Sequence, residues 1–189
     1  IIAFLACLKA GIVAVPVFPP NPLRRDTLHM FSRIVQGCDA KFALTNTEYN
    51  HAKKIAGIRD VFTRNTSANA NNTATATAAS WPEALQWIVT DQKSANKTKA
   101  VSTSSTSKTT SSPCSSTELA FLQYTSGSTS EPKGVMITHG NLAHNLSIIT
   151  KELSADSTTI VVSWLPQYHD MGLIGSYLGI LYCGGTGYY

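Results

Sequence analysis

Short apolar runs alternate with helical apolar spacing over residues 1–45, and this alternation restricts the possible folds more than any other feature. Residues 1–10 have helical spacing and are followed by Gly11, a residue typical of helix ends. Residues 12–15 form an apolar run that ends in prolines, which predicts a short strand. A second helical spacing over 28–35 precedes another predicted strand at 41–45. Helix and strand in short alternation predict an α/β layer architecture with a largely parallel sheet.

Two tracts of small polar residues divide the chain. Residues 65–80 are almost wholly Asn, Thr, Ala and Ser, and residues 94–117 are rich in Ser, Thr and Lys. Neither tract has enough large apolar side chains to offset the entropy of ordering it, so solvated loops are preferred over a regulatory phosphorylation tract. We expect the apolar segment 81–91 between them to dock on the core. The predicted organisation is an N-terminal α/β part, 1–64, insertions over 65–117 around the docked segment 81–91, and an ordered part, 118–189.

The part after residue 118 has the clearest pattern. Predicted strands lie at 119–124, 135–137 and 159–165. Thr138 is suited to cap a helix whose apolar positions recur over 142–149. A loop at 168–170 leads into a predicted apolar helix at 171–182. This arrangement places two polar loops directly after strands.

The composition argues against some classes of function. The chain has 189 residues and a formal net charge of +4, and its basic residues are scattered rather than clustered as in nucleic-acid-binding proteins. The four cysteines have no metal-ligand spacing, so we expect no metal site in this chain and reduced thiols in a cytoplasmic protein. No apolar segment has the length of a membrane-spanning helix.

Both ends of the chain indicate a longer protein. The chain begins without Met inside an apolar helical pattern and stops just after another apolar segment, without a polar tail. We therefore expect a fragment. We also expect that the fragment alone does not fold stably, because its sheet lacks later strands.

The hydroxyl-rich segment, residues 124–134, reads Tyr-Thr-Ser-Gly-Ser-Thr-Ser-Glu-Pro-Lys-Gly and directly follows a predicted strand. Its small side chains let the backbone approach a polyanion, and successive N–H groups can form an anion-binding concavity. Lys133 adds a positive charge suited to phosphate. A Walker A loop is excluded, because there Gly-Lys precedes Ser or Thr and here Lys133 precedes Gly134. A surface linker is disfavoured by the apolar strands on both sides, so the segment predicts a phosphate-binding loop.

The hydroxyl-rich segment resembles the signature loop of the adenylate-forming superfamily, T-S-G-[ST]-T-G-x-P-K-G. That superfamily includes acyl-CoA synthetases, nonribosomal-peptide adenylation domains, luciferases and fatty acyl-AMP ligases. Ser130 stands where Gly is commonest. The resemblance implies that ATP phosphates are bound by Thr125, Ser126, Gly127, Ser128, Thr129, Lys133 and Gly134.

A second segment points to one branch of that superfamily. Residues 164–173 read W-L-P-Q-Y-H-D-M-G-L and resemble the form typical of fatty acyl-AMP ligases. The resemblance implies that His169 lies near the substrate carboxylate and the adenylate. The alternative interpretation is that local hydrogen bonds orient His169 and that it helps to cap the following helix. Residues 4–20 resemble an early helix–strand segment of the same ligases, with a structural role.

The resemblance implies a fold and a reaction. The fold is the large N-terminal domain of the acyl-adenylate-forming enzymes, in part, with low-complexity insertions. The reaction is activation of a fatty acid with MgATP to an acyl-adenylate and pyrophosphate, with acyl carrier protein or CoA as acceptor. His169 and Lys133 are the expected catalytic residues. The apolar helix 171–182 is interpreted either as part of an acyl tunnel or as core.

Other parts of such an enzyme are expected beyond Tyr189, among them the Mg²⁺-binding Glu, the ribose-binding Asp and a C-terminal catalytic Lys. The fragment alone is therefore expected to be inactive. Two related alternatives stay open, a long-chain acyl-CoA synthetase and an amino-acid adenylation domain. The alternative from another class is a non-catalytic relative that binds an adenylate or a lipid.

Overall fold

A computed structural model describes residues 1–22, 25–67, 81–91, 114–125 and 131–189. The chain divides into two compact units, one formed by Ile1–Phe18 with Thr110–Tyr189 and the other by Pro19–Thr109. Most of the two predicted polar tracts lies outside the described residues. The three-part organisation predicted from composition therefore stays a prediction.

The first helix, α1 (Ile2–Lys9), ends as predicted, because Gly11 follows it with φ +66°, a value that favours glycine. The prediction of a strand over residues 12–15 is wrong in its length. Only Ala14 pairs, accepting a hydrogen bond from the Leu122 N–H at 2.9 Å. Pro16 lacks an N–H group, so the ladder does not continue past it.

In the described residues of the unit Pro19–Thr109, two helices accompany one parallel strand pair. Its elements are α2 (Arg25–Gly37), β1 (Phe42–Thr45), α3 (Thr47–Ser67) and β2 (Gln86–Val89). The pair runs in register from Phe42 opposite Gln86 to Thr45 opposite Val89. The predicted helix at 28–35 and the strand at 41–45 are confirmed, and β2 lies in the segment expected to dock. No pattern predicted α3.

An aromatic cluster forms much of the interior of this unit. The rings of Phe31, Trp81 and Trp87 lie within 6 Å of one another, centroid to centroid. Tyr49 stacks on Trp87, and its hydroxyl donates a hydrogen bond to the Pro20 carbonyl at 2.6 Å. Burial raises the pKa of Tyr49 to about 12. The same cluster therefore packs α2, α3 and β2 together.

The other unit contains an antiparallel hairpin followed by a helix. Strand β3 (Leu119–Thr125) pairs with β4 (Lys133–Thr138), and α4 (His139–Glu152) begins directly afterwards. Thr138 caps α4 as predicted, since its side chain accepts from the Asn141 N–H while the Asn141 side chain accepts from the Thr138 N–H. The core of the unit packs α1 and α4 onto β3, with Phe121 fully buried at its centre.

The last elements are β5 (Ile160–Val162), a π-helix (Met171–Leu178), α5 (Gly179–Cys183) and β6 (Thr186–Tyr188). The apolar helix predicted at 171–182 is correct in position, but its first two turns are of the wider π type. Such turns are rare and frequently occur at functional sites. Strand β6 pairs in parallel with β5 and was not predicted.

The expectation of one largely parallel sheet is corrected. The described residues form three separate two-stranded ladders, two parallel and one antiparallel. The antiparallel ladder, β3 with β4, joins strands that a short loop connects, whereas a parallel pair needs a long crossover. Within the described part of the chain, no helix is both long and apolar enough to cross a membrane.

Candidate active site

The hydroxyl-rich segment connects the two strands of the β3–β4 hairpin. Thr125 and Lys133 are Cα partners at the end of this ladder, and both are exposed. Of the predicted phosphate-binding residues the structure therefore places these two and Gly134. The remaining four, Ser126, Gly127, Ser128 and Thr129, lie outside the described residues.

Lys133 is an exposed residue at the start of β4. Within the described ranges it makes no hydrogen bond and no ion pair with a carboxylate. A Lys ammonium is a compact charge that binds phosphate through up to three N–H donors. Its position at the first residue of β4 fits the predicted role in holding ATP phosphates.

Gly134 has a structural reason to be glycine. It lies opposite Tyr124 in the ladder, and a Cβ built on it would come within 3.0 Å of the Tyr124 ring carbon Cζ. The ring of Tyr124 therefore covers the backbone where a side chain would otherwise stand. This packing explains Gly134 without a ligand, and its predicted contact with phosphate stays a prediction.

The second predicted segment forms the His169 loop, residues 164–170, which leads into the π-helix. The His169 N–H donates to the Pro166 carbonyl at 3.1 Å, and the Leu173 N–H donates to the His169 carbonyl at 2.8 Å. Gly172 packs so closely on the loop that a Cβ there would overlap the Pro166 carbonyl oxygen. The loop backbone is thus held from within and by the helix that follows.

His169 and Asp170 interact directly. His169 Nδ1 lies 2.6 Å from Asp170 Oδ1, and that same oxygen accepts from the Met171 N–H at 2.7 Å. The Met171 nitrogen is 3.4 Å from His169 Nδ1, so the carboxylate is its principal acceptor. We therefore assign a hydrogen to Nδ1, donated to Asp170, which leaves Nε2 free to act on another molecule.

The two interpretations of this pair are both compatible with the geometry. Asp170 caps the π-helix through its carboxylate, whereas the local interpretation expected His169 to help cap it, and His169 Nδ1 lies 3.4 Å from the Met171 nitrogen. The His169 side chain is 63% exposed and contacts Asp170 through Nδ1, so Nε2 stays accessible to another molecule. The role of His169 beside a substrate carboxylate stays a prediction.

Gln123 connects the two segments, and no sequence motif pointed to it. Its side-chain amide Nε2 donates to the Tyr168 carbonyl at 3.0 Å, across 45 positions of sequence. The residue is 8% exposed on β3, two positions before Thr125. A polar residue at a buried position of an otherwise apolar strand is the signal that a sequence reader could have used.

A shallow cavity of about 230 Å³ lies beside the His169 loop. Its lining is mainly apolar and includes Phe4, Val17, Tyr168 and Leu173. Leu173 and Leu178 of the π-helix are buried in the core, which favours core packing for most of the predicted acyl-lining helix. In the parts of the chain that the structure describes, no three His, Cys, Asp or Glu side chains come together as a metal site.

Comparison with known proteins bears on the family and the fold. The family model described as "AMP-binding enzyme" matches residues 1–189. The chain is 34% identical to the medium-chain-fatty-acid–[acyl-carrier-protein] ligase JamA of Moorena producens, an alignment that covers 97% of this chain and 27% of that protein. It is 32% identical to the long-chain-fatty-acid–AMP ligase FadD32 of Mycolicibacterium smegmatis, with 94% of this chain and 24% of that protein covered.

Solved structures show the same relationship. The fatty acyl-adenylate ligase from L. pneumophila, in complex with acyl adenylate and pyrophosphate, superposes with a TM-score of 0.65 at 29% identity. That match covers 98% of this chain and 27% of the ligase. The predicted fold, the N-terminal domain of the adenylate-forming enzymes, is thereby confirmed. The chain spans about a quarter of the length of the relatives it matches, and it belongs to the AMP-binding enzyme family.

Proposed function

We propose that the protein containing this chain activates a fatty acid with ATP and Mg²⁺, forms an acyl-adenylate and passes the acyl group to a thiol of an acyl carrier protein, forming a thioester and releasing AMP. The observation that carries this proposal is the similarity to fatty-acid ligases along nearly the whole chain. The relatives at 34% and 32% identity are named as a fatty-acid–[acyl-carrier-protein] ligase and a fatty-acid–AMP ligase. The proposed reaction consumes ATP, which is abundant inside the cell, and we therefore propose a cytoplasmic location.

The proposed reaction is a displacement at the α-phosphorus of ATP. A carboxylate oxygen forms a new bond to that phosphorus, the bond to the bridging oxygen breaks, and pyrophosphate leaves with the electron pair. Such a step depends mainly on positioning the reactants and neutralising phosphoryl charge. Mg²⁺ bound with ATP supplies part of that neutralisation.

The residues of this chain have separate roles in the proposal. Lys133, at the end of the β3–β4 ladder, offers its exposed ammonium to the leaving pyrophosphate. Thr125, at the other end of the same loop, contributes a hydroxyl, and the small residues between them, Ser126, Gly127, Ser128 and Thr129, contribute further donors. His169 contacts Asp170 through Nδ1, and in its imidazolium form both ring nitrogens donate, so Nε2 would donate a hydrogen bond to an oxygen of the carboxylate or of the new anhydride.

The acceptor separates this proposal from its nearest rival. Putative fatty-acid–CoA ligases named FadD21 also match this chain. That of Mycobacterium tuberculosis is 50% identical over 33% of the chain, and that of Mycobacterium leprae is 31% identical over 92% of it. The two relatives named as acyl-carrier-protein ligases are aligned over 97% of it. Because the two relatives named for a carrier protein match at slightly higher identity and coverage than the CoA ligase of Mycobacterium leprae, we favour a carrier protein over CoA, and the transfer assay decides between the two. The amino-acid adenylation structure McyG resembles this chain at 19% identity, which supports the common fold alone.

Fatty-acid-dependent exchange of pyrophosphate into ATP tests the proposal, measured on the complete protein with medium- and long-chain acids and with amino acids. We expect exchange with fatty acids only. Lys133→Ala should reduce the rate by on the order of 10²-fold, the cost of losing one positioned charge-stabilising donor. The matched control is Lys151→Ala, which removes an exposed lysine at the end of α4.

Three results would contradict the proposal. Exchange with amino acids would indicate an amino-acid adenylation enzyme. Binding of a fatty acid or an adenylate without any exchange would indicate the non-catalytic relative. Transfer of the acyl group to CoA but not to a carrier protein, measured by mass spectrometry, would overturn the assigned acceptor.

A further inference from the structure

We propose that Gln123 is a positioning residue for the adenylation reaction, which sets the place of the His169 loop relative to the strand that leads into the hydroxyl-rich segment. The inference rests on the proposed function for its kinetic consequence. Gln123 lies two residues before Thr125, and its amide binds the carbonyl of Tyr168, the residue next to His169. One side chain thus joins the two motif segments of the chain.

The strand that carries Gln123 is itself held firmly. Phe121, two residues earlier on the same face of β3, is fully buried. Ala14 lies beside Phe121 and forms backbone hydrogen bonds with the residues on both sides of it. The Ala14 N–H donates to the Ala120 carbonyl, and the Ala14 carbonyl accepts from the Leu122 N–H. The hydrogen bond from Gln123 therefore holds the His169 loop at a fixed position relative to β3.

The amide oxygen of Gln123, Oε1, indicates that packing alone does not explain a glutamine at this position. Gln123 Oε1 is buried and has no hydrogen-bond partner in the described part of the chain. A buried acceptor without a partner destabilises the folded protein, and an apolar side chain of similar size avoids that cost. If packing alone mattered, Met or Leu would serve better. The bond from Nε2 to Tyr168 is what a glutamine adds.

The other contacts of the His169 loop do not fix its backbone to β3. The Tyr168 ring packs edge-on against Phe18 with ring centroids 5.3 Å apart, and Phe18 is 55% exposed. Gln167 donates to the Tyr177 hydroxyl at 2.7 Å and accepts from the Ile1 amino group at 3.3 Å, and neither of these contacts involves β3. Among these contacts, the Gln123 bond alone ties the loop backbone to β3.

The first test is kinetic and uses the complete enzyme. Gln123→Met keeps the volume and removes the amide. We expect kcat for fatty-acid-dependent adenylation to fall on the order of 10²-fold, the effect of a displacement of about 1 Å at a reacting group. The KM for ATP should change little, since the phosphate-binding residues are untouched.

The matched control is Thr150→Val. Thr150 is also 8% exposed, and its hydroxyl donates to the Leu146 carbonyl within α4 at 2.8 Å, so its loss removes a buried hydrogen bond without touching the loop. We expect an unchanged kcat. Phe18→Leu, at an exposed position, should lower kcat by a smaller factor. Its effect should be non-additive with Gln123→Met, whereas Thr150→Val should be additive with it.

The second test does not depend on activity. Amide hydrogen exchange should become faster at His169 and Leu173 in Gln123→Met, at unchanged global stability, and should stay slow in Thr150→Val. A Gln123→Met enzyme with wild-type kcat, or one whose loop amides keep their protection, would overturn the inference. A wild-type protein without any pyrophosphate exchange would refute the proposed function instead, and the exchange rates of these amides would then decide on Gln123 by themselves.

Discussion

Substitution of Gly172 by Ala should displace the His169 loop. A Cβ at this position overlaps the Pro166 carbonyl oxygen and lies 2.9 Å from the Pro166 carbonyl carbon and 3.1 Å from the Leu165 oxygen. All three atoms belong to backbone, so no side chain can rotate away. Ordinary carbon–carbon contact requires about 3.5 Å, and the overlapping oxygen is nearer still than the carbonyl carbon, so the loop must retreat by roughly 1 Å.

The expected magnitude follows from this overlap. Overpacking a buried site costs about 1–3 kcal/mol of unfolding free energy. Because the retreating segment carries His169, we also expect adenylation to slow by roughly 10- to 100-fold, in keeping with the sensitivity of reacting groups to displacements approaching 1 Å. Stability and activity should therefore fall together.

The assay compares Gly172→Ala with Gly175→Ala in the complete protein. Gly175 lies in the same π-helix, but a Cβ there meets nothing within 4 Å. Since Ala favours helix over Gly by up to about 1 kcal/mol, Gly175→Ala should be neutral or stabilising. Urea unfolding and fatty-acid-dependent pyrophosphate exchange measure the two effects. Equal unfolding free energies for the two variants, or an unchanged exchange rate in Gly172→Ala, would refute the reasoning.

Two further predictions concern local stability. Thr138→Ala should lower the unfolding free energy by about 1 kcal/mol through loss of the cap of α4, and Asn145→Ala, at an exposed position of the same helix, should not; equal urea midpoints would count against the cap. Burial raises the pKa of Tyr49 to about 12, so its folded state favours the neutral phenol. Its contribution to stability is complete below the unfolded pKa of about 10 and is lost as the pH rises toward 12. Tyr49→Phe should flatten that part of the pH profile, and an identical decline in both proteins would exclude Tyr49 as its cause.

Features that depend on neighbouring residues could be predicted from the sequence. The left-handed Gly11 after α1 and the Thr138 cap of α4 both follow from side chains within a few positions. The strand at 119–124 and the apolar segment from Met171 were also predicted in place. The two motifs, in the hydroxyl-rich segment and the His169 loop, were sufficient to indicate the family that the comparisons confirmed.

Features that depend on distant partners required the tertiary structure. The run at 12–15 has the composition of a strand, yet only Ala14 finds a partner. Strand β6 is too short to stand out as a pattern and exists because β5 lies beside it. Gln123 reads as one polar residue in a strand, and its bond to Tyr168 depends on a segment 45 positions away. Local sequence determines which conformations a segment favours, but hydrogen bonds and packing between distant segments decide which of them the folded chain adopts.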